Sequence, residues 1–124
     1  MTQQITELEF HIENLTLYLE QLLVASDPLN EDQLQNARLM RRALLVACEA
    51  LLNPQPQSRQ WLTTLRESLI SVHCGASAMG AAMHGPLTPA QSELVSMIAG
   101  CAFFVEQEIE RLRKQITLLR FPAA

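Results

Sequence analysis

The stretch Ile5-Thr6-Glu7-Leu8-Glu9-Phe10-His11-Ile12-Glu13-Asn14-Leu15-Thr16-Leu17-Tyr18-Leu19-Glu20-Gln21-Leu22 decides the fold. Its apolar positions Ile5, Leu8, Ile12, Leu15, Leu19 and Leu22 alternate spacings of three and four. That spacing keeps one stripe of an α-helix facing a partner over three heptads. A second stripe, Phe10, Leu17 and Val24, recurs every seven residues on nearly the opposite face.

The same alternation continues along the chain. A second segment, about 30–52, is amphipathic at first and apolar almost all round from Ala43 to Leu52, so it needs cover on more than one side. Asn30 or Asp32 suits its N-cap, and Glu31 and Asp32 complement the helix dipole. A third, about 58–84, opens at Ser58 as N-cap and carries Leu62, Leu65, Leu69, Val72, Ala76, Met79 and Met83. A fourth, about 88–119, places Pro89 at the first helical position after Thr88. Its stripe reads Leu94, Ile98, Cys101, Val105, Ile109, Leu112, Ile116 and Leu119. The first helix is expected over about 2–25.

Between the helices lie Ser26–Asn30, Asn53–Ser58 and Gly85–Pro89, which hold five of the six prolines; Pro122 is in the tail. Helices of ~25 residues are ~37 Å long, and short connections make neighbours antiparallel. The expected fold is all-α: one up-down-up-down four-helix bundle domain spanning 1–124. Folding about the Gly85–Thr88 turn sets Gly75 against Gly100 and Ala76 against Ile98. Small residues from Gly75 to Ala82 then permit close approach of the last two helices, the alternative being a break near Gly75–Gly80. Helix 1 has Glu7, Glu9, Glu13 and Glu20 and no Lys or Arg, whereas the fourth helix ends Arg111-Leu112-Arg113-Lys114 and then Arg120. The bundle sets these clusters side by side, and Arg42 near Glu13.

Composition narrows the function. The chain has 124 residues, 48% hydrophobic and 5% aromatic, with 21 leucines. Charged residues are 18%, under the ~25% average, which is unlike a disordered chain. Thirteen acidic against nine basic residues give −4, the wrong sign for a general nucleic-acid binder. Met1–Glu7 resembles no secretory signal, and the longest apolar run, Ala43–Cys48, is far short of the ~20 residues of a spanning helix. Three widely spaced cysteines, Cys48, Cys74 and Cys101, read as buried reduced thiols, so a cytoplasmic location and no membrane insertion are expected.

Four constellations bear on chemistry. His73-Cys74-Gly75-Ala76 has the small residues of a histidine phosphotransfer helix but no lysine to pair the phosphoryl group. The expected register brings His73 near Cys101, with Cys74, Met79, Met83, His84 and Met97 on the same helix pair. No metal-ligand spacing accompanies them, and core filling accounts for the methionines. Ser71, Ser77 and Cys74 flank His73, but adjacent helical residues do not face one another, so no dyad is expected. Arg38, Arg41 and Arg42 form a small basic patch, best read as a solvated face with intramolecular ion pairs. No enzyme, metal or cofactor is expected.

The remaining signal is surplus apolar surface. Phe10, Leu17, Tyr18, Leu23, Val24, Leu45, Val46 and Leu52 cannot all face one core. Phe10, Leu17, Tyr18, Val24, Leu45, Val46 and Leu52 are therefore the candidate interface of a homodimer or of another protein partner. The expected role is a non-enzymatic helical regulator or adaptor. The alternatives are a secretion-type chaperone for an amphipathic helix, or a phosphotransfer or ligand-binding bundle centred on His73.

Glu67-Ser68-Leu69-Ile70-Ser71, Gly85-Pro86 and Val105-Glu106-Gln107-Glu108-Ile109-Glu110-Arg111-Leu112 resemble a family of short helical proteobacterial proteins of unknown function. The resemblance covers the C-terminal half. It implies a bacterial helical protein, and no activity or site residues.

Overall fold

The computed structural model describes residues 2–24 and 28–120, with side chains through 117. Ala25, Ser26, Asp27 and Pro122, and the side chains of Leu119 and Arg120, lie outside the described residues. Four helices follow in order: α1 Thr2–Leu23, α2 Glu31–Leu52, α3 Arg59–Gly80 and α4 Pro89–Arg120. Each packs on its two neighbours in a closed ring, α1 on α2, α2 on α3, α3 on α4 and α4 on α1, while the diagonal pairs stay apart. The chain is a single-domain antiparallel four-helix bundle.

Three helix starts are built by side chains that answer the free backbone N–H groups of a first turn. Asn30 Oδ1 accepts from Gln33 N–H (2.7 Å), and Gln33 Oε1 accepts from Asn30 N–H (3.0 Å). Thr88 and Gln91 repeat this reciprocal pair at the head of α4, at 3.2 and 2.9 Å. Ser58 Oγ accepts from Trp61 N–H at the head of α3. Both glutamines are buried. Gln33 Nε2 also donates to the carbonyls of Gly85 and Pro86, and Asn30 Nδ2 donates to that of His84. The head of α2 is thereby tied to the α3–α4 connection. At the other end of α2, Trp61 Nε1 donates to the carbonyl of Ala50 at 2.7 Å.

The core is the expected seam with three corrections. On α1, Leu8, Ile12, Leu15, Leu19 and Leu22 are buried, and Ile5 packs at the edge. α3 stops at Gly80 instead of His84, so Met83 is exposed and not part of the seam. The cause is backbone geometry. Ala82 takes φ 58°, its N–H donates to Met79 O, and Met83 N–H donates to Ala78 O. This is a Schellman ending, which closes a helix through one left-handed residue. On α4 the core positions are Val95, Ile98, Ala102, Val105, Ile109, Leu112 and Ile116. Leu94 and Cys101, expected there, are half-buried, because the adjacent Val95 and Ala102 take the strict heptad frame.

The third correction concerns the glycines. Gly75 does not face Gly100. A Cβ on Gly75 would lie 2.6 Å from Met40 Cγ and 2.9 Å from Met40 Sδ, so this glycine admits α2. Asn36 Nδ2 donates to the Gly75 carbonyl at 2.9 Å across the same contact. A Cβ on Gly100 would meet nothing within 4 Å. The antiparallel pairing of α3 and α4 is seen instead at Gly80, whose added Cβ would lie 3.7 Å from Val95 Cγ1.

Candidate functional site

The second stripe of α1 lies on the surface. Phe10, Leu17 and Val24 are 59%, 58% and 77% exposed. On α2, Leu45 and Leu52, seven residues apart, are 54% and 84% exposed. Leu52 also lines a shallow cleft against α1 with Glu9, Glu13, Cys48 and Leu51. Across α1 and α2, Arg41 Nε lies 3.3 Å from Glu20 Oε1, so Arg42–Glu13 is not the pair that forms. That pairing brings Leu17 level with Leu45. Val46 is exposed with Leu39 on a separate α2 stripe. Tyr18 and Leu23 are corrections: both are half-buried and pack against the core, so neither belongs to the surplus.

Sequence reasoning missed the aromatic side of this surface. Phe103 and Phe104 are exposed on α4, off the seam, and so is Met97. The His11 ring stands edge-on to Phe104 (4.8 Å between centroids) and to Phe10 (5.4 Å), joining the α1 stripe to α4. The signal was the Phe-Phe pair itself, two large apolar residues that one heptad frame cannot both bury.

His73 does not meet Cys101. Its Nδ1 lies 2.8 Å from Glu106 Oε2, and its ring packs edge-on to Phe103 at 5.6 Å. Oε2 is buried, with the His73 imidazole beside it. The carboxylate engages Nδ1 of the ring. Cys101 turns toward α1, where its Sγ donates to the His11 carbonyl at 3.7 Å. Burial pushes its thiol above the ordinary range. The expected burial of the thiols is corrected: Cys74 is exposed, and Cys48 and Cys101 are only half-buried, because none of the three falls on a core position of its helix. Ser71 and Ser77 are exposed. No group of three or more His, Cys, Asp or Glu among the described residues is arranged to hold a metal ion.

Two of the cations near the end of α4, Arg111 and Arg113, are paired within α4. Arg111 pairs with Glu108 at 2.8 Å, and Arg113 Nε donates to both oxygens of Glu110 at 3.1 Å. The expected pairing with the acidic residues of α1 is replaced by a hydrogen bond from Gln4 Nε2 to Gln115 Oε1. The i,i+3 partners win because one helix holds both groups in reach, without ordering a second. No helix among the described residues is long and apolar enough to cross a membrane.

No protein family, curated protein or solved structure matches this chain.

Proposed function

We propose that this chain is a non-enzymatic protein–protein interaction module, a small helical regulator or adaptor whose α1–α2 face receives a second copy of itself. The exposed stripe Phe10, Leu17 and Val24, opposite the core and beside Leu45 and Leu52, carries this reading. Fully covering such a side chain contributes about 1.5–3 kcal/mol. Five of them approach the estimated ~4–15 kcal/mol that association costs in lost freedom. Charge favours self-complementarity. α1 offers four glutamates and no Lys or Arg, while α2 offers Arg38 and Arg42, neither of which forms an ion pair among the described residues. A two-fold arrangement packs each α1 on the partner's α2 and brings opposite charges to the rim.

The test is mass by light scattering during size-exclusion chromatography at tens of micromolar. Twice 13.9 kDa is expected for the chain, and 13.9 kDa for Leu17→Glu with unchanged helical circular dichroism. A monomeric wild-type chain would overturn the self-association.

A further inference from the structure

A second surface, remote in the fold from the α1–α2 face, has the chemistry of a ligand site. The first half of α3 meets the second half of α4 on this side of the bundle. They leave a cleft of about 650 Å³, within the ~300–1,000 Å³ typical of small-molecule sites. Half-buried Ile70 is its accessible apolar side chain, and the buried Leu62, Ile109 and Ile116 form the floor beneath it. Its rim carries Arg59, Arg66 and Arg113 against Glu67 and Glu110. Glu110 is engaged by Arg113, and the positive charges of Arg66 and Lys114 also act on it, holding its carboxyl below the ordinary value. Three cations thus converge on one carboxylate. Arg59 has no ion-pair partner among the described residues. In a chain of net charge −4 this is a local excess of positive charge over an apolar floor.

We propose that the α3–α4 cleft binds a small amphipathic carboxylate, its hydrocarbon part against Ile70 over the floor of Leu62, Ile109 and Ile116 and its carboxylate between Arg59 and Arg66. The two arginines are seven residues apart on one face of α3, with Thr63 between them; both are exposed, and Arg66 is shared with Glu110 while Arg59 is not. The apolar floor alone would accept any hydrocarbon. The arginines select the charge, and the overall acidity of the chain would by itself repel it.

Calorimetric titration with decanoate, set against decyltrimethylammonium below its micelle concentration, tests this. Decanoate is expected to saturate one site per chain, and the cation of the same tail to bind at least tenfold more weakly. Arg59→Gln and Arg66→Gln should each weaken decanoate about tenfold, the order of a hydrogen bond to a charged group. Both residues are exposed, and unchanged helical circular dichroism confirms folding. Leu17→Glu should bind decanoate as the wild type does, which separates this site from the α1–α2 face. Absence of decanoate binding, equal binding of the two amphiphiles, unchanged affinity in both arginine variants, or loss of binding in Leu17→Glu would each overturn the proposal.

Discussion

At the scale of single residues, Gly75 and Gly100, each inside a helix, make opposite demands. Alanine is favoured over glycine in a helix interior by about 1 kcal/mol. At Gly100 nothing opposes that gain, so Gly100→Ala should raise the thermal midpoint by a few degrees. At Gly75 the new methyl would run into the Met40 side chain, which is 1% exposed and has no room to retreat. Overpacking of this kind costs about 1–3 kcal/mol, so Gly75→Ala should lower the midpoint in the same calorimetric scan. The cysteines differ just as sharply. Only the thiolate attacks an alkylating reagent, and burial keeps the Cys101 thiol protonated beyond its ordinary range. Timed iodoacetamide labelling with peptide mass spectrometry should modify exposed Cys74 first and Cys101 last. Equal rates would show that Cys101 opens to solvent.

At the scale of helices, α3 ends on a residue poorly suited to its place. A left-handed backbone at Ala82 costs a residue with a Cβ roughly 1–2 kcal/mol relative to glycine. Ala82→Gly should therefore stabilise the bundle by about 1 kcal/mol, read as a raised denaturation midpoint at unchanged slope. This ending explains why the sequence pointed past it: the heptad reached Met83 and no glycine marked the stop at position 82. The heads of the helices were legible, because Asn30, Ser58, Thr88 and Pro89 announce them locally. The rotation of α4 was not. Leu94–Val95 and Cys101–Ala102 offer two apolar residues for each core position, and the choice between them rests on packing across the bundle. His73–Glu106 depends on that rotation, and so was hidden as well. The exposed stripe Phe10, Leu17 and Val24 was legible because a seven-residue repeat opposite a buried seam needs no tertiary knowledge. Tyr18 was misassigned because it falls at the flank of α1, where contact with α4 or α2 decides its burial.

At the scale of the whole molecule, the ring is unevenly held. α3 packs most extensively on α4, and α1 least extensively on α2. The surface stripe sits on the helix pair with the least packing, and the cleft opens along the pair with the most. The ring is also closed at one end by a joint. Gln33 and Asn30 start α2 while holding the carbonyls of His84, Gly85 and Pro86, more than fifty residues later in the chain. The first turn of α2 therefore cannot fray alone. When it opens, the connection between α3 and α4 loses its anchors, and when that connection lifts, buried Gln33 loses its partners. The two segments should behave as one cooperative unit in native-state hydrogen exchange. Amides at the head of α2 and the head of α4 should share one opening free energy, and Gln33→Ala should lower both together. Separate loss of protection at α2 alone would show that the joint transmits nothing.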